Sequence, residues 1–243
     1  MTWRVLCSVL CLLWPVLAMA DTLPPKQVEL FTAFAQDVSG ADPQIMALAQ
    51  KLTSTPPTTK EDIGFYGLDD APPAERALRG IIRALSDAGH LITVEDKYLF
   101  ELPEILEAGG AAKLPADRSR ISLLAPFEKT DWDAGVTDAE WLTFKGWFPG
   151  HVRAIEQAVH DNGRSLLSLR LPLGDTLYYW AAVPEMADKW RDTALYAGVN
   201  TLEFKRTPVV SISISDPDWA TYWGFATYAL GVPEAHWPTP DGL

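Results

Sequence analysis

Between residues 24 and 90 apolar side chains return every three or four positions. Val28, Phe31, Phe34, Ala35 and Val38 share one helical face, set between Pro24-Pro25 and Gly40. Asp42-Pro43 reads as N-cap and first helical residue of a second helix carrying Ile45, Leu48, Ala49 and Leu52. Thr53 to Asp62, with Pro56-Pro57, reads as a loop. Pro72-Pro73 open a third helix, whose stripe is Leu78, Ile81, Ile82 and Leu85 and whose stop is Gly89.

Beyond residue 90 the period changes. Leu91 to Val94 and Ile121 to Leu124 read as short strands, with a helix from Pro103 through Ile105, Leu106 and Ala108 between them. Thr137-x-x-Glu140 is a capping box: hydroxyl and carboxylate each satisfy a free N–H at a helix start. The helix it opens carries Trp141 and Phe144 and is expected to break near Pro149-Gly150. A further helix then carries Val152, Ile155 and Val159 to Gly163.

Leu167, Leu169 and Leu171 alternate with Ser168 and Arg170. Leu173-Gly174-Asp175 is turn chemistry, and Leu177 to Val183 completes a hairpin. A short helix is predicted from Pro184 to about Arg191, and strands over Thr201 to Arg206 and Val209 to Ser215. Asp216-Pro217 opens a last helix to about Leu230. The expected class is α+β: a helical N-terminal part followed by a mixed, mostly antiparallel sheet of four to six strands covered by helices. Residues 21–243 are read as one globular domain, with a helical subregion 21–60 joined by the Pro/Thr-rich loop.

The first twenty residues change that picture. Arg4 precedes an apolar run from Val5 to Val16, and Ala18-Met19-Ala20 places small residues before Asp21. That order is a secretory signal peptide cleaved between Ala20 and Asp21. The run falls short of the ~20 residues that span a bilayer. Cleavage removes Cys7 and Cys11, the chain's two cysteines, and with them disulfides, thiol catalysis and thiolate metal sites. Asn162 and Asn200 begin no glycosylation sequon. The expected compartment is the bacterial periplasm. The net charge of −12, which becomes −13 once Arg4 is lost, disfavours nucleic acid and favours a basic partner. No membrane span is expected in the mature chain.

Nucleophile-elbow, zincin, P-loop and dinucleotide fingerprints are all missing from the sequence. His151 and His160 stand nine residues apart on a helical stretch and point to opposite faces, so no metal site and no cofactor are expected. Ser211, Ser213 and Ser215 read as the wet face of a strand. Two features carry function. The first is a carboxylate cluster, Asp131, Asp133 and Glu140, beside Trp132 and Trp141, which suits glycoside hydrolysis: one acid, one base and a flat apolar platform. The competing reading gives Asp138 and Glu140 to the helix dipole and the rest to a turn. The second is aromatic. All eight tryptophans outside the leader follow residue 130, and Trp180, Trp219, Tyr222 and Trp223 are candidate binding residues, the competing reading being a large aromatic core in the C-terminal part.

The sequence thus supports an exported, non-catalytic interaction protein with a basic protein partner, for instance a periplasmic immunity protein. The alternative is a carboxylate-dependent periplasmic hydrolase acting on cell-wall glycan.

Overall fold

A computed structural model describes residues 22–58, 71–131, 134–170, 176–191, 193–198 and 210–215. The leader with Ala20 and Asp21, the predicted strand 201–206 and the predicted helix after Asp216 lie outside the described residues. The chain divides into two compact units, Met1–Ala88 and Gly89–Leu243. It combines helices with an antiparallel sheet.

In the first unit, α1 (Pro25–Ser39), α2 (Pro43–Ser54) and α3 (Pro73–Asp87) pack on one another. Each begins with proline, whose fixed φ suits a helix start and whose missing N–H would have had no partner there. α1 ends on Gly40 at φ +63°, and the Ala41 N–H donates to the Gln36 carbonyl at 2.8 Å. Asp42 then caps α2, its Oδ1 accepting from the N–H of Gln44 at 2.8 Å and of Ile45 at 3.3 Å. Phe31, Phe34, Ala49, Leu78, Ile82 and Leu85 are buried along the expected stripes. Arg79 is buried with them, and its Nε and Nη2 both donate to Oε1 of Glu75, one turn earlier.

The second unit holds a five-stranded sheet in the order β1-β3-β2-β5-β4, every neighbouring pair antiparallel. The strands are β1 (Ile92–Glu95), β2 (Ser165–Arg170), β3 (Thr176–Ala182), β4 (Thr193–Gly198) and β5 (Val210–Ser215). The β2–β3 register sets Leu166 opposite Ala181, Leu167 opposite Trp180 and Ser168 opposite Tyr179. Both faces of this pair are buried: the alternation of Leu167 and Leu169 with Ser168 leaves no wet face, since Ser168 is buried opposite Tyr179. β4 was not foreseen: Thr-Ala-Leu-Tyr-Ala-Gly is short and weakly patterned, and it is a strand because β5 supplies its ladder.

A 3-10 turn (Asp96–Glu101) leads from β1 into α4 (Leu102–Ala108). The chain then runs without regular structure to a second 3-10 turn (Ala125–Phe127) and α5 (Asp138–His160). The short helix α6 (Pro184–Trp190) follows β3 and packs against β2 and β3.

Two expectations need correction here. Ile121–Leu124 is not a strand. The N–H groups of Ile121 and Ser122 both donate to the Arg118 carbonyl, at 2.9 and 2.8 Å, and Ala125 N–H donates to Ser122 at 3.1 Å. The in–out alternation survives, with Ile121 and Leu123 buried, but local turns consume the backbone groups that a ladder would need. Nor does the helix break at Pro149-Gly150: α5 is continuous for 23 residues. Proline inside a helix costs ~3 kcal/mol. One unbroken buried face, Trp141, Phe144, Phe148, His151, Ile155 and Val159, outweighs that cost, since a buried large apolar side chain contributes about 1.5–3 kcal/mol each.

That face is an aromatic ladder. Phe144 lies 5.2 Å from Phe127, 5.3 Å from Trp141, 5.6 Å from Phe148 and 6.1 Å from Trp147, centroid to centroid. Leu102, Leu106, Ile121, Leu123, Leu166 and Tyr179 belong to the same core. Phe144→Ala is expected to lower unfolding free energy by about 3–5 kcal/mol in urea titration, more than any exposed α5 substitution such as Leu142→Ala.

Candidate functional site

The carboxylate cluster separates into members with different tasks. Asp131 is exposed, and Asp133 and Trp132 lie outside the described residues. Glu140 is the N3 residue of α5. Its Oε1 accepts from the Thr130 hydroxyl at 2.6 Å, and its Oε2 accepts from the Thr137 hydroxyl at 2.6 Å and the Thr137 N–H at 2.8 Å. The Glu140 N–H returns a bond to the Thr137 hydroxyl at 3.3 Å. The capping box is therefore formed in full, with Thr130 as an added donor. These bonds, Thr130 first and then Thr137, hold the Glu140 carboxyl below its ordinary 4.5. A glycosidase acid needs the opposite shift. Trp141 is wholly buried and offers no platform to a sugar.

Trp180 is 6% exposed, in the middle of β3, and packs as core. Trp219, Tyr222 and Trp223 lie outside the described residues. Ser211, Ser213 and Ser215 fall on β5. Among the described residues no three His, Cys, Asp or Glu side chains come together as a metal site would require, and no helix is long and apolar enough to cross a membrane.

The structure brings together a different set. An open groove of about 530 Å³ is lined by Phe100, Glu101, Glu104, Ile105 and Ala108 on one side and by Ser122 and Leu124 on the other. Its origin lies in the two faces of the α4 region. Leu99, Leu102, Pro103 and Leu106 turn into the core. Glu101, Glu104, Ile105 and Ala108, spaced three, one and three residues apart, form the face left over. Phe100, Ile105 and Leu124 are half-buried, seated on the core yet open to the groove. Tyr98, 45% exposed, stands edge-on to Phe100 with centroids 6.3 Å apart. The lining pairs apolar surface with two carboxylates and, among the described residues, no basic side chain.

Glu107 points away from the groove and braces its far wall. Its Oε2 accepts from Arg118 Nη2 at 3.0 Å and its Oε1 from the Leu114 N–H at 3.3 Å. The Arg118 bond, opposed by desolvation, holds the Glu107 carboxyl below its usual range. On the other side of the same wall the His151 Nδ1–H donates to the Arg120 carbonyl at 3.3 Å, which makes the neutral ring the Nδ1 tautomer. His151 is 2% exposed and stacks on Trp147 at 4.7 Å. Burial pushes it from 6.5 down to about 4, against a small upward pull from the Arg120 bond.

Sequence reasoning passed over the groove because no single residue in it is unusual. The available signal was Ile105: an apolar residue beside two glutamates and off the Leu99–Leu102–Leu106 stripe. A scan against protein-family models, a search of curated proteins and a search of solved structures each find no match for this chain.

Thr137→Ala is expected to lower stability by about 1 kcal/mol in urea titration at pH 7. Glu140→Gln is expected to lower it as well, with a defined pH dependence. The folded-state pKa of Glu140 is depressed, so its contribution is full above pH 4.5 and fades as pH falls through the lowered value. Wild type and Glu140→Gln should therefore converge in stability in the most acidic titrations.

Proposed function

We propose that this chain is an exported, non-catalytic binding protein of the bacterial periplasm that holds a basic segment of a protein partner in the α4 groove. The single observation behind the reading is the lining: Glu101 and Glu104 set into the apolar surface of Phe100, Ile105 and Leu124. Side chains three residues apart on a helix stand about 5–6 Å apart. Two cations of a partner can meet them while an apolar neighbour, or the aliphatic stem of a lysine, lies on Ile105 and Leu124. From Glu101 to Ala108 the groove runs about 10 Å, at 1.5 Å per residue. That length suits a short peptide segment.

Magnitudes divide the work. An exposed ion pair contributes only about 0–1 kcal/mol, so affinity rests mainly on apolar contact. The carboxylates and the net charge of −12 act on approach and on choice of partner. An immunity protein that occupies a basic toxin is one concrete form of this reading. The leader with its Ala20–Asp21 junction supports export, and protein recovered from the periplasm is expected to begin at Asp21 on N-terminal sequencing.

A labelled peptide of alternating lysine and leucine, followed by fluorescence anisotropy, tests the binding. Glu101→Gln with Glu104→Gln is expected to weaken it about tenfold at low salt and to flatten its salt dependence. Equal affinity in the double variant would sink the proposal. Release of sugar from cell-wall glycan by wild type, lost in Asp131→Asn or Asp133→Asn, would replace binding with hydrolysis.

A further inference from the structure

The wall of the groove opposite α4 is the irregular segment Arg118–Leu124, and no ladder or helix of its own holds it. Three sets of contacts do so. Ile121 and Leu123 are buried in the core on the side away from the groove lining. Arg118 reaches across to Glu107 on α4. The Arg120 carbonyl accepts from the buried ring of His151 on α5. Ser122 and Leu124, which line the groove, follow Arg120 by two and four residues.

The closed wall keeps His151 out of water, and that burial disfavours its charged form more than the Arg120 bond favours it. Its surroundings are aromatic: Trp147 stacks on it at 4.7 Å, and Phe148 lies at 6.1 Å. Charged residues on the elements packed against this part of α5 are Lys113, Asp117, Arg118 and Arg120 ahead of the 3-10 turn, Glu128 and Lys129 after it, and Arg170 at the end of β2. On α5 itself Arg153 and Glu156 are nearest in sequence. Arg118 is engaged by Glu107, Asp117 accepts from the Ser119 N–H, and Lys113, Arg120, Glu128, Lys129 and Arg153 are exposed. Arg118 and Arg120, the charges nearest the bonded carbonyl in sequence, are cations, and a second proton on the ring adds to their charge. An imidazolium buried between these rings lacks the water that would solvate it, and the route by which water reaches it is displacement of the Arg118–Leu124 wall.

We infer that His151 is a proton-operated latch on the groove wall: neutral, it holds Arg118–Leu124 closed against α5, and protonated, it lets the wall swing from the core and the bound segment leave. The inference rests on the groove being the binding site. The direction follows from linkage. An open, hydrated ring takes its proton near 6.5 and the closed ring only near 4, so acid favours the open form. Between pH 8 and pH 5 the open form gains about 30-fold over the closed one. Glu107 acts in the same sense, since its ion pair with Arg118 is lost when its carboxylate is protonated.

Amide hydrogen exchange on the wild-type protein reads the latch directly, because the Ile121 and Ser122 amides are bonded to the Arg118 carbonyl. Their protection factors, corrected for intrinsic exchange, are expected to fall about 30-fold from pH 8 to pH 5, while β2 and β3 amides keep theirs. In His151→Gln, whose amide cannot take up a proton in this range, the fall should vanish. Four results overturn the latch: unchanged protection at Ile121 and Ser122, an equal fall across the sheet, an equal fall in His151→Gln, or an imidazole titrating near 6.5 by proton NMR. The exchange measurement needs no ligand. Failure of the lysine–leucine peptide to bind at pH 7 therefore counts against the groove, and a flat exchange profile counts against the latch.

Discussion

The second unit is organised by one constraint: the long helix α5 has to bury an aromatic face that starts at Trp141 and runs past His151. Phe144 touches four other rings of that face and its surroundings, and offset aromatic pairs add about 0.5–1.5 kcal/mol beyond the area they bury. With that much stabilisation along one side, the helix runs on through Pro149. The same face demands a partner layer. Phe127, Ile121 and Leu123 come from chain with no regular structure, Leu166 and Tyr179 come from the sheet, and Leu102 and Leu106 come from α4.

The groove is a by-product of that packing. α4 spends Leu99, Leu102 and Leu106 on the core, and its remaining face looks onto chain that is itself anchored from behind. A surface formed in this way is anchored from below yet carries no obligation of its own, so glutamates and half-buried apolar side chains can share it. The buried histidine adds one further property. Burial of this ring disfavours its protonated form, and the proposed latch on the wall rests on that.

Much of this was legible in the chain. The stripes of α1, α2 and α3, their prolines, the Asp42 cap and the Thr137–Glu140 box follow from local rules, and each appears in the structure with the residues expected. Glu140 shows how far such rules reach into function. The sequence allowed it to be a catalytic acid or a capping residue. Two hydroxyls and an N–H on its oxygens leave it ionised and engaged. Trp180 shows the reverse. Its position on a strand with no polar face admitted core or contact surface, and only the neighbours packed on β3 decide for core.

What the sequence determined by itself is what depends on residues within a few positions of one another: helix starts and stops, the hairpin strands β2 and β3, the acidic charge, the two cysteines at positions 7 and 11, and the lack of a recognisable catalytic motif. Tertiary structure decided the rest. It continued α5 across Pro149, denied Ile121–Leu124 a ladder and gave one to β4, and set Glu101, Glu104 and Ile105 facing Leu124 across a groove. The physical reason is common to all four. A backbone segment becomes helix, strand or wall according to which distant partner takes up its hydrogen bonds and apolar surface, and no local pattern names that partner.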